Sequence, residues 1–160
     1  MSYELDDIDQ KILQLLQQDG RMTNAALAEA VGLTPTPMLQ RLRKLEQKGV
    51  ITGYRAVIDA RAVARATMAL LHVQLTEHRL ENHRRFVHEA CQMPEVLEVH
   101  HVAGEDDFIL KVAVEDIAAY EHFLLDRLNQ VPGIDRVCTT FILSTSKDEG
   151  ISPLGGLKGG

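Results

Sequence analysis

Apolar residues recur at helical spacing in the first third of this chain and at strand spacing further on, so the pattern predicts a helical unit followed by a mixed one. Residues 6–18 (DDIDQKILQLLQQ) carry Ile8, Ile12, Leu15 and Leu16 at i, i+4, i+7 and i+8, one stripe on an otherwise charged helix with Asp6 at its N-cap. A second helix places Leu27 and Val31 one turn apart, uses Ala28 for close approach, and ends at Gly32, which permits a sharp turn. The third begins at Thr34, whose hydroxyl is expected to accept from an orphan N–H, with Pro35 at the first helical position and Pro37 still in the first turn. Its apolar stripe reads Leu39, Leu42 and Leu45, flanked by Met38.

From Val50 the period changes. VITGYRAVID reads as an extended linker strand, and ARAVAR as a short helical turn. Strands follow at 67–76, 96–103, 108–114 and 134–146, with helices at 80–92 and 117–129, the last turning Tyr120, Phe123, Leu124 and Leu128 inward. Gly104 to Asp107 makes the turn between the two middle strands. The order β-α-β-β-α-β is the ferredoxin-like arrangement, so the fold class is α+β: an N-terminal helix-turn-helix (winged-helix-like) domain and a C-terminal ferredoxin-like βαββαβ domain. The expected divisions are 1–50, a linker strand at 51–66, 67–146, and a flexible tail at 147–160 with five glycines in its last eleven residues. Along 70–75 neither alternating set of residues is uniformly polar, so the second sheet face is expected to need cover, with a partner subunit supplying it.

The candidate chemistry lies on the third helix. Opposite its leucines, Thr36, Gln40, Lys44 and Gln47 share one face with Arg43 and Arg41 on its flanks, so short polar, amide and cationic groups point outward together. With Thr34 and Pro37 at the tip, this set suits the bases and phosphates of double-stranded DNA. A solvated basic helix would show the same residues.

Charge changes the picture only when divided along the chain. The formal net charge is −6, yet residues 1–66 hold nine basic and eight acidic groups while residues 67–160 hold eight and fifteen. Residues 34–65 alone hold seven basic and two acidic groups, which concentrates positive charge where the DNA face is expected. No apolar run approaches the roughly 18 residues needed to span a bilayer, and the acidic start is unlike a secretory leader, so the chain reads as cytoplasmic, with no membrane partner. Cys91 and Cys138 lack metal-ligand or redox spacing and are expected to be reduced. Seven histidines invite a metal, but His100 and His101 alternate on a strand and His83 and His88 diverge on a helix, so no metal or other cofactor is expected. No phosphate-cradling glycine loop, H-E-x-x-H or nucleophile elbow is present, so no catalytic residue is assigned and the enzyme class stays the rival reading. A DNA-organising protein without an effector is a further alternative.

The stretches LTPTPMLQRLRKLEQKGVI, ITGYRAVID and MPEVLEVHHVAGEDDFILKV stand in the order found in the Lrp/AsnC family of feast/famine transcription regulators, which the chain resembles over about residues 4–146. The resemblance implies a regulator that dimerises through its second domain, often assembles four dimers into an octamer, and responds to a small effector, usually an amino acid. It also implies an effector crevice at the 104–107 loop, with Gly104 and Asp107 there, Ile117 at the start of the last helix, and Thr140 and Ile142 on the last strand. Asp107 would hold the ammonium and main-chain N–H groups the carboxylate. Asp106 stands where the family usually has an aromatic, and is expected to point to solvent.

Overall fold

Capping and two left-handed glycines, Gly32 and Gly49, set the helix ends of the first part of the chain. The computed structural model describes residues 4–77 and 79–147. Helix α1 (Asp7–Gln18) starts where the Asp6 carboxylate accepts from the Asp9 N–H at 2.8 Å. Helix α2 (Asn24–Val31) is capped by Thr23, which accepts from the Ala26 N–H at 3.2 Å. Gly32, at φ 72°, ends α2 in a conformation that only glycine adopts without strain, and the Leu33 N–H closes back on the Ala28 carbonyl at 2.8 Å. Helix α3 follows at Pro35–Gln47. Ile12, Leu27, Ala28, Met38 and Leu45 form the buried centre of this unit, with Ile8, Leu15, Leu16, Val31 and Leu42 packed around it.

Three expectations are corrected here. The buried stripe of α3 is Met38, Leu42 and Leu45, at i, i+4 and i+7; Leu39, about 100° around the helix from Met38, is half-exposed and lies outside the core. Thr34 occupies the N-cap, but its hydroxyl makes no capping bond. The third helical residue, which would normally donate to the cap, is Pro37, and proline has no N–H. No strand forms over VITGYRAVID, because the segment finds no ladder partner within the chain.

Arg41 has a role that the helical wheel does not reveal. Its Nη1 sits 2.6 Å from Asp6 Oδ2 and 2.8 Å from Asp9 Oδ1, tying the middle of α3 to the start of α1. Asp9 is 1% exposed. The Asp9 N–H donating to it, with Arg41 beside it, holds the Asp6 carboxyl below the ordinary aspartate value.

The second unit runs from Ile58 to Ser146 and so starts ahead of the expected boundary near residue 66. The Arg65 guanidinium explains the shift, since it donates to the Ala113 carbonyl at 2.7 Å and secures the segment, with its 3-10 turn at Ala60–Val63, to the sheet domain. The elements are β1 (Thr67–Leu75), α4 (Leu80–Cys91), β2 (Val96–His101), β3 (Phe108–Val114), α5 (Ile117–Asp126) and β4 (Ile134–Ile142), with a 3-10 turn at Leu128–Gln130. The four strands are antiparallel in the order β2-β3-β1-β4. β4 stops at Ile142 instead of running to 146, because its last partner on β1 is Met68. β2 stops at His101, paired with Phe108, and the expected tail lies outside the described residues from 148 onward.

Alternation along β1 builds the core. Ala69, Leu71, Val73 and Leu75 face α4 and α5 and are buried with Phe86, Ala90, Phe108, Leu110, Val112, Tyr120, Phe123 and Leu128. Leu124 only borders this core. The other sheet face carries Met68, Leu70, Ile109 and Ile142 beside His72, Glu98, His100 and Lys111. Lys111 Nζ and His100 Nε2 bond the two Glu98 oxygens at 3.0 and 2.9 Å, and His100 and Lys111, in that order, hold the Glu98 carboxyl below its ordinary value.

Arg41→Ala removes the guanidinium from a buried carboxylate, and a charged hydrogen bond of this kind is worth about 1.5–3 kcal/mol. Thermal unfolding should show that loss in the N-terminal unit. Asp6 has a lowered folded pKa, so its contribution is complete above the ordinary aspartate value of 3.8 and disappears as pH falls below it. In Asp6→Asn that last acid-dependent step should be reduced, and an unchanged acid unfolding profile would contradict the assignment.

Candidate functional site

The outward face of α3 is present as a stripe. Thr36, Gln40, Arg43, Lys44 and Gln47 are all exposed, with Thr34 and Pro37 exposed at the tip. Arg43 meets no carboxylate among the described residues. Arg41 differs: it was expected on the flank of this face, but its position, 140° around the helix from Thr36, directs it to α1, where Asp6 and Asp9 hold it. The two prolines also strip the start of α3 of two N–H donors, so the hydroxyls of Thr34 and Thr36 are the short polar groups that remain there.

The second candidate region is the β2–β3 connection. It spans residues 102–107 and is closed by the Val102 N–H donating to the Asp107 carbonyl at 3.1 Å. Asp107 extends β3 by one step, its N–H donating to the Val73 carbonyl at 3.0 Å. Its Oδ2 accepts from the Leu75 N–H at 2.8 Å, where β1 shifts register against β4. Oδ1 lies 3.9 Å from His83 Nε2. The carboxylate is therefore 9% exposed and held from several sides. Asp106 is the next correction. It does not point to solvent, because His72 Nδ1 lies 2.9 Å from its Oδ2 on the open sheet face.

Beside this loop is a polar cavity of about 380 Å³, lined by Gln74, Leu75, Thr76, Glu105, Asp107 and Asp135. Asp107 is the one expected residue in its wall. Gly104 is exposed in the same loop. Ile117, 59% exposed, stands beyond the far end of β3, roughly 20 Å away at about 3.3 Å per residue. Thr140 and Ile142 pair with Leu70 and Met68 on the open sheet face. One chain alone does not bring these three to Asp107. Gln74, Thr76, Glu105 and Asp135 escaped the sequence reading, although an antiparallel β1–β4 pair places the start of β4 beside the end of β1 and signals Asp135.

Both parts of the chain have counterparts among known proteins. Residues 5–52 match the family described as winged helix-turn-helix DNA-binding, and residues 68–151 match the Lrp/AsnC ligand binding domain. Those two parts in that order define a DNA-binding transcriptional regulator with a ligand-binding domain. The chain belongs to the Lrp/AsnC family. It is 41% identical over 145 residues to the leucine-responsive regulatory protein of Rhizobium meliloti (strain 1021), covering 91% of this chain and 93% of that one. It is 39% identical over 143 residues to the DNA-binding transcriptional activator DecR of Escherichia coli (strain K12), covering 89% and 94%. Among solved structures, a transcriptional regulator of Neisseria meningitidis in complex with L-Met superposes with a TM-score of 0.87 at 34% identity, covering 94% of this chain and 96% of that one. An AsnC family regulator of Agrobacterium tumefaciens gives 0.85 at 33%, covering 91% and 94%.

Asp107 joins charge and scaffold in one side chain, and two substitutions separate them. Asp107→Ala strands the Leu75 N–H, at a cost of about 1–3 kcal/mol, and should lower the melting temperature. Asp107→Asn keeps an oxygen for that N–H and should retain most of the stability. Equal melting of the two variants in calorimetry would show that the Leu75 bond carries no weight.

Proposed function

We propose that this regulator reads DNA through Thr34, Thr36, Pro37, Gln40, Arg43 and Lys44, with Arg41 positioning α3, and that its second domain binds an amino acid at the cavity beside Gly104 and Asp107. The observation that carries the first part is the exposed polar and cationic stripe on α3, opposite a buried one, within the segment matched to a DNA-binding family. Gln40 can read a base edge with its amide, while Arg43 and Lys44 neutralise phosphates. Acidic groups in the second domain limit non-specific attraction, which leaves discrimination to the stripe.

For the effector, the Asp107 carboxylate supplies the anionic partner of an α-ammonium. The match to a ligand-binding domain and the L-Met complex of the Neisseria meningitidis relative support this class of ligand. Ile117, Thr140 and Ile142 join the site only if copies of the chain assemble, and the half-buried Met68, Leu70, Ile109 and Ile142 on the open sheet face support a homodimer built there and stacked further, as an octamer of four dimers. The protein acts by binding, as a cytoplasmic regulator without catalysis. No helix among the described residues is long and apolar enough to cross a membrane.

The deciding measurement is a thermal-shift screen against the amino acids, followed by gel shifts with any hit. A ligand at 100 times its Kd adds about 2.7 kcal/mol to the folded state, a shift easily resolved. A chain that binds its operator but gives no thermal shift, and no change in DNA affinity, with any amino acid would instead be a DNA-organising protein.

For the DNA face, Arg43→Ala and Lys44→Ala should each flatten the salt dependence of operator binding by about 0.9 per lost phosphate contact. Gln40→Ala should alter sequence preference at constant slope. Unchanged affinity and slope in both cationic variants would remove α3 from the interface. For assembly, Leu70→Lys on the full chain should lower the mass in light scattering toward the 17.8 kDa of one chain; an unaltered oligomer would place the dimer contact elsewhere.

A further inference from the structure

A second cavity, of about 500 Å³, opens between α4 and the ends of β2 and β3. It shares no lining residue with the polar cavity. Its floor is apolar and aromatic: Phe108, 1% exposed, with Leu80 and Val87 beside it. His101 lies over Phe108, with ring centroids 5.0 Å apart and planes 28° apart, and His83 meets both rings edge-on at 5.0 and 5.3 Å. The result is a set of flat surfaces at one end of the cleft.

The two cavities have opposite electrostatic character. Glu105, Asp107 and Asp135 line the polar one, whereas no carboxylate lines the apolar one. Arg84, His88 and Gln92 stand along α4 at i, i+4 and i+8, so their side chains share one edge of the cleft. Arg84 is exposed and has no carboxylate partner among the described residues. An apolar floor beneath an unneutralised guanidinium and hydrogen-bonding imidazoles is complementary to a ligand with a flat hydrophobic body and one anionic end.

From this geometry we propose that the α4 cleft is a second small-molecule site, distinct from the cavity at Asp107, and that it takes aryl carboxylates. The aromatic body lies against Leu80, Val87 and the ring of His101, which covers Phe108, and the carboxylate faces Arg84. A free α-ammonium is disfavoured, since nothing in the lining is anionic.

The protein carries its own reporter. Cys91 lines the cleft and is exposed, and added N-acetylcysteine serves as the control, since Cys138 lies on the open sheet face proposed as the dimer contact. Alkylation of the full-length protein by iodoacetamide, followed residue by residue by mass spectrometry, is measured with phenylacetate, 2-phenylethylamine or benzyl alcohol present. Phenylacetate should slow Cys91 saturably and leave N-acetylcysteine unchanged; the amine should protect neither. Arg84→Gln should raise the phenylacetate concentration for half-protection at least tenfold. Leu80→Glu should do the same. It places a carboxylate in the first turn of α4, where a negative charge suits the helix and the fold is kept. Absent or non-saturable protection, equal protection by the amine, or retention of protection in both variants overturns the proposal. So does a Cys91 that is unreactive without ligand and becomes reactive on dilution, because a second copy would then occupy the cleft. Failure of the amino-acid screen leaves this result untouched, since every ligand in that screen carries the α-ammonium that this cleft disfavours.

Discussion

Strand β1 has to satisfy a ladder on both of its edges while burying every second side chain, and the architecture of the second domain follows from that requirement. β3 pairs with it from Val114 to Phe108 and β4 from Ile142 to Ile134, so both partners are locked in register by one strand. A slip of one residue would turn Leu71 and Val73 out of the core and bring His72 in. Where β1 shifts register at Gln74 and Leu75, an amide is left without a ladder partner, and the Asp107 carboxylate takes it. The cavity at Asp107 lies beside this irregularity, with Gln74 and Leu75 in its wall.

Most of the element plan could be read from the chain because periodicity reports what each segment buries. The cap at Asp6, the turn at Gly32 and the β-α-β-β-α-β order are local or pattern-level properties, and the structure agrees with them. The Thr34 cap failed locally, at Pro37, but most other failures had a partner distant in sequence as their cause. Arg41 looks like any flanking cation until Asp6 and Asp9, more than thirty residues away, are placed beside it. β4 ended early because β1 supplied no further partner, and Asp106 turned onto the open sheet face because His72 of β1 stands there. The wall of the polar cavity was missed for a similar reason, as Gln74, Glu105 and Asp135 come from three separate segments.

The proposed assembly bears on the proposed effector residues in the same way. Ile117, Thr140 and Ile142 were assigned by resemblance, and within one chain they are separated from Asp107 by the length or breadth of the sheet. Pattern and burial describe one protomer. Sites completed by a second copy leave their trace as half-buried apolar side chains among charged ones, which is the character of the open sheet face.

Helix α3 divides its labour between two sets of positions. Met38, Leu42 and Leu45 bind it to the core and Arg41 fastens it to α1, so its placement is settled before any exposed residue is considered. Thr36, Gln40 and Arg43 have no duty in that placement. Substitutions there exchange one surface chemistry for another on an unchanged support, so under the proposed DNA contacts new target sequences can be acquired one residue at a time without the chain having to learn to fold again.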